Sequence, residues 1–111
     1  MHKTAMYAQS YRELGPQAEV SFLILMAYEL TAWTRQMGPT EVEASWRSVN
    51  ELNNRLMDRA LAVQRGERLG QTEESFIELL LRRADDTGCT RIVEGLLQAL
   101  MERTARSATR R

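Results

Sequence analysis

Thr40 to Gly66 reads TEVEASWRSVNELNNRLMDRALAVQRG, and the fold follows from this stretch. Val42, Trp46, Val49, Asn53, Leu56, Ala60 and Val63 recur at alternating steps of four and three. That is a heptad seam, the pattern of a helix that packs along one line against a neighbour. Thr40 and Glu43 have the spacing of a capping box, in which each side chain satisfies a free backbone N–H of the first turn. Gly66 is placed to end the helix. A helix of this kind cannot bury its seam alone, so the surrounding sequence must supply its partners.

Upstream, Pro16 suits the first turn of a helix because its missing N–H has no helical partner. Glu19 then lies near the positive end of the helix dipole. This helix is expected to run to about Met37. Its middle, Phe22-Leu23-Ile24-Leu25-Met26-Ala27-Tyr28, is apolar on every face, which is the pattern of a helix surrounded by others. So small a chain has few helices to surround it. The surplus points to a partner, either another protein or a second copy of the chain. Residues 1–14 form an N-terminal arm or short helix, with Met6, Tyr7, Tyr11 and Leu14 on one face.

Downstream, a polar loop runs from Gly66 to Gln71. Thr72 is a candidate cap, and Glu73 and Glu74 follow where negative charge is favoured. Phe76, Ile77, Leu79, Leu80, Leu81 and Ala84 give that helix a wide apolar stripe, and Gly88 closes it. The last helix is expected to cap on Thr90 and to carry Ile92, Val93, Leu96, Leu97, Leu100 and Met101 on its inner face. Gly95 inside it costs roughly 1 kcal/mol relative to Ala, and a close helix crossing would account for it. Residues 103–111 form a basic tail, expected to fray, with Arg103, Arg106, Arg110 and Arg111 and no acid. No segment alternates with period two. The expected fold is all-α: a small four-helix arrangement with short loops over residues 15–102, plus the N-terminal arm.

Composition excludes more functions than it suggests. The 111 residues suit one domain, with 43% hydrophobic residues and 15 basic against 15 acidic. That balance argues against a nucleic-acid binder over the chain as a whole and against an acidic disordered protein. Of the basic residues, 14 are Arg and only Lys3 is Lys, a skew that carries no functional reading. One Cys forbids an internal disulfide. With a single His, His2, the usual metal-ligand sets are missing, and no metal or cofactor is expected. Residues 1–8 are too mixed for a secretory signal, and the longest apolar run is too short to span a bilayer. A cytoplasmic setting with no membrane contact is therefore expected.

Catalytic constellations are equally sparse. Cys89 lies near a helix start, where the dipole can lower a thiol pKa, but no His is placed to act as its base. The carboxylate pairs Glu41/Glu43, Glu73/Glu74 and Asp85/Asp86 fall near helix ends, where capping and solvation explain them. No glycine spacing matches a phosphate-binding loop.

Phe22, Leu25, Met26, Trp33, Trp46, Asn53 and Met57 are the candidate partner-binding residues. Asn53 is a polar residue on a heptad seam, which fixes register or partner number. Its alternative is a seam edge at which Leu52 and Met57 do the packing. Trp33 and Trp46 flank the Gly38-Pro39 turn and either pack on one another or anchor a partner. Met1, Met6, Met26, Met37, Met57 and Met101 are either core fillers or the adaptable part of a helix-binding surface.

Tyr7 and Tyr11, followed by Pro16-Gln17-Ala18-Glu19-Val20 and by Leu25-Met26-Ala27-Tyr28, resemble the opening of flagellin-export chaperones of the FliS type. That opening has a Tyr-bearing arm, a Pro-x-Glu helix start one residue shorter than here, and a helix rich in Leu, Met and Tyr. Asn50-Glu51-Leu52-Asn53-Asn54-Arg55-Leu56 is similar to the middle of the flagellar regulator FlaF, with Met57 where that family has Trp. The resemblance implies a non-enzymatic chaperone or regulator that holds an amphipathic helix of a secreted subunit. The alternative is a small homodimeric regulator touching nucleic acid through Arg103, Arg106, Arg110 and Arg111.

Overall fold

In a computed structural model the chain forms five helices, α1 (Lys3–Arg12), α2 (Pro16–Thr34), α3 (Pro39–Gln64), α4 (Glu73–Thr87) and α5 (Thr90–Thr109). The structure describes residues 3–36, 38–67 and 72–109; at 39, 41–45 and 107–109 it describes the backbone alone. Among the described residues there is no strand. The all-α expectation holds, but the count of four is corrected to five because residues 3–12 form a helix of their own. The body measures 49 × 29 × 24 Å.

The helix boundaries follow from local chemistry. Gly15 and Gly38, both extended, precede Pro16 and Pro39 at the first helical positions of α2 and α3. Thr40 is therefore inside α3 and not its cap, since the proline carries the helix start two residues further back; the Glu43 side chain lies outside the described residues. Gly66 ends α3 at φ 70°, with the Glu67 N–H bonded to the Ala62 carbonyl at 3.0 Å. Thr72 caps α4 as expected, its hydroxyl accepting from the Ser75 N–H at 3.1 Å. Gly88, at φ 86°, turns the chain out of α4. The next residue serves two helices at once. The Cys89 N–H bonds to Ala84 O at 2.9 Å, and its carbonyl accepts from the N–H groups of Ile92 and Val93. Cys89, not Thr90, thus stands at the cap position of α5, because the closing turn of α4 leads straight into it. Most of the loop at Gly66–Gln71 lies outside the described residues.

α2 and α3 form an antiparallel hairpin, the most extensive helix pair in the molecule, and α4, α5 and α1 pack behind it. The core is continuous: Leu23, Met26 and Leu30 of α2 meet Val49, Leu52 and Leu56 of α3, Phe76, Ile77 and Leu80 of α4, and Val93 and Leu97 of α5. α1 adds Tyr7, Ala8 and Tyr11 from the side of α4 and α5. Leu14, just beyond α1, packs against this core, while Met6 on α1 is exposed.

Two glycines differ in meaning. Gly95 has nothing within 4 Å of where a Cβ would stand, so no close helix crossing explains it. Gly88 is equally open, but its positive φ excludes other residues at low cost. Gly95→Ala is therefore expected to raise stability by about 0.5–1 kcal/mol. Gly88→Ala should lower it by about 1–2 kcal/mol. Denaturant midpoints at unchanged m-value check both, and equal signs for the two would contradict this account.

Candidate protein-binding face

α2 is apolar around its circumference, yet the hairpin covers only one side of it. Val20, Leu23, Met26, Leu30 and Thr34 point inward. Ile24, Leu25 and Tyr28 point outward at i, i+1 and i+4, with Tyr28 71% exposed. The outward side of α3 carries Trp46, 57% exposed, with Met57 and Leu61 further along at steps of eleven and four. The two outward sides adjoin across the hairpin seam, where Asn53 Nδ2 reaches Thr31 Oγ1 at 3.4 Å. Six large apolar side chains thus share one face of the molecule.

Apart from Arg35 at the C-terminal end of α2, the described polar residues on this face are uncharged. Ser21 and Thr31 on α2, and Asn50, Asn53 and Asn54 on α3, interleave with the apolar ones. Exposed charges such as Glu29, Arg47, Asp58 and Arg65 sit on the flanks. Depletion of charge at the centre, with Tyr, Trp and Met present, is the composition of an interface core. At the open end of the hairpin, Pro16, Gln17, Val20 and Ser21 of α2 and Val63 and Gln64 of α3 line a cleft of ≈ 420 Å³.

Of the sequence candidates, Leu25, Trp46 and Met57 lie on this face. Asn53 lies at its edge, half-buried, with Oδ1 buried and unbonded among the described residues. Leu52 is in the core, whereas Met57 is not. Two candidates fall elsewhere. Met26 is fully buried in the core, because it sits on the side of α2 opposite Leu25 and Tyr28. Phe22 is half-buried and meets the Tyr11 ring edge-on, centroids 6.2 Å apart, on the α1 side. Trp33 packs against the core, and its ring makes no contact with that of Trp46. Ile24, Tyr28 and Leu61 are additions that the sequence reading did not single out. For Ile24 and Tyr28 the signal was present, since no charge stands three or four residues to either side of them; Leu61 has Asp58 and Arg65 at those spacings and gave none.

Behind the face lies a buried polar cluster that sequence reasoning missed. Arg59 is 7% exposed. Its Nε donates to Glu19 Oε2 and to Tyr11 Oη, both at 3.1 Å, and the Tyr11 hydroxyl donates to the same carboxylate oxygen. The guanidinium carbon stands 4.4 Å from the Phe76 ring centroid and 5.5 Å from that of Tyr11. One residue from each of α1, α2, α3 and α4 is joined here. Burial, helped by the bond to Glu19, pushes the Tyr11 hydroxyl far above its ordinary pKa. The available signal was spacing: Arg59 takes an inward position in the series Leu52, Leu56, Arg59, Val63, where a leucine would be expected.

The remaining candidates are scattered. Cys89 is buried, and burial pushes its thiol up to about 11, the opposite of an activated nucleophile. Among the described residues no three of His, Cys, Asp and Glu converge on a metal-sized site, and no helix is long and apolar enough to cross a membrane. Glu73/Glu74 and Asp85/Asp86 sit at opposite ends of α4, while the side chains of Glu41 and Glu43 lie outside the described residues. Arg103 and Arg106 are exposed on α5, which continues to Thr109 through the residues set apart as a tail. Arg110, Arg111, Met1, His2 and Met37 lie outside the described residues. No family model matches the chain, and neither a curated protein nor a solved structure is significantly similar to it.

Proposed function

We propose that the protein is a non-enzymatic, cytoplasmic, chaperone-like binding module that holds an apolar helical surface, from a partner protein or a second copy, against the outer face of α2 and α3. The observation that carries this reading is a charge-poor apolar face left outside a core that is already closed. Ile24, Leu25 and Tyr28 are not needed to fill the interior, since Leu23, Met26 and Leu30 do that. Exposing them costs solubility, and contiguous apolar patches on monomers usually mark interaction sites. Helix-in-groove recognition uses surfaces of this kind, with apolar anchors on the guest at one-turn spacing. The likeness of residues 7–28 to flagellin-export chaperones supports the same reading from a separate direction.

The test is a pull-down with the tagged full chain from nuclease-treated lysate of the native host, washed at low and then high salt. A stoichiometric protein, untagged self included, is expected to survive the high-salt wash, because apolar contacts are not screened. Tyr28→Glu should reduce its recovery at least about tenfold, and Met6→Glu on α1 should not. Retention indifferent to Tyr28, or no stoichiometric protein at all, overturns the reading.

A further inference from the structure

We propose that the occupant of the α2/α3 face is a second copy of this chain, so that two hairpins pack face to face in a symmetric dimer. This inference rests on the protein-binding reading and names its partner. Area is the first argument. The exposed parts of Ile24, Leu25, Tyr28, Trp46, Met57 and Leu61 amount to roughly 600 Å², at the upper end of the largest patches on monomers. With a polar rim, this approaches the ~800 Å² per partner of a standard stable interface. Charge is the second argument. A two-fold interface sets one patch against itself, so any charge near its centre would meet its like. Among the described residues only Arg35 lies in line with this face, one turn past Thr31 at the Trp46 end and away from the Tyr28–Met57 centre, and the flanking charges are of both signs, Glu29 and Asp58 with Arg47 and Arg65. A face of this composition tolerates its own copy and offers no steering charge to an acidic or basic partner. Shape is the third. The face is built from two antiparallel helices, and a pair of such hairpins makes a four-helix layer of the kind apolar helix faces commonly form.

The experiment is light scattering after size exclusion, with sedimentation equilibrium over roughly 1–100 μM, on the purified full chain. The expected mass is twice that of the 12.8 kDa chain. Tyr28→Glu and Met57→Glu, tested separately, should each weaken self-association about 30-fold or more, with unchanged helical circular dichroism because both side chains are exposed. Met6→Glu should leave the dimer intact. A wild-type monomer at the highest concentration overturns the proposal, as does a dimer indifferent to both face variants. If the wild type is monomeric yet still retains a different host protein through Tyr28, the self-pairing fails and the protein-binding reading stands. If neither is seen, both fail.

Discussion

Arg59→Ala is expected to destabilise the fold by about 3–5 kcal/mol, the range for removing one partner of a buried ion pair. The size comes from what is left behind. The Glu19 carboxylate stays in a site where its side chain is 16% exposed, and it loses the one cation paired with it among the described residues. The Tyr11 hydroxyl loses one of its two partners, and the faces of Phe76 and Tyr11 lose the guanidinium that lies over them. Chemical unfolding with urea, followed by circular dichroism, measures the loss as a lower midpoint. Arg59→Lys should fall between wild type and Arg59→Ala. It restores charge but not the planar donor that bonds Glu19 and Tyr11 while stacking on Phe76. The double variant Arg59→Met with Glu19→Gln should recover much of the stability, since no buried charge then remains unpaired. A loss below about 1 kcal/mol in Arg59→Ala would show that the cluster is not part of what holds α1 and α2 to the body.

Met26→Ala and Leu25→Ala are expected to behave oppositely although they are adjacent and similarly apolar. Met26 is fully buried, and truncating it should cost about 2–5 kcal/mol through lost transfer energy and the cavity left among Leu23, Leu30 and their neighbours. Leu25 is 47% exposed, and its truncation should change protomer stability by no more than about 0.5 kcal/mol. The comparison must be made on dilute protein, where association does not contribute to apparent stability. Equal losses at the two positions would mean that α2 is buried on both sides in the protomer, and the outer face would not exist.

This contrast shows where sequence reading stopped. The run from Phe22 to Tyr28 is apolar at every step, so its pattern names no inner face and gives Met26 and Leu25 the same reading. α3 has a clear seam, and there Val49, Leu56 and Ala60 do point inward. Even that seam misplaces its ends. Trp46 shares the heptad positions but lies outside, because the straight α-helical period drifts from seven residues and the hairpin partner α2 ends near it. An isolated Arg in a helix is ordinarily solvated, so nothing local marks Arg59; only the approach of Glu19 from α2 and Tyr11 from α1 makes its burial affordable.

By itself the sequence determined the features that depend on near neighbours along the chain. Pro16 opened a helix, Thr72 capped one, and Gly66 and Gly88 closed two, because these effects act within one turn of backbone; at α3 the reading placed the start at Thr40, and Pro39 takes it instead. The absence of period-two alternation and the helical spacing of apolar residues determined the all-α class. The tertiary structure alone decided that residues 3–12 dock as a fifth helix, which side of α2 is inside, and that Arg59 sits at the centre of a buried cluster. Each of those is a choice among non-local packings, and its energy comes from atoms brought together across tens of residues, which no local pattern records.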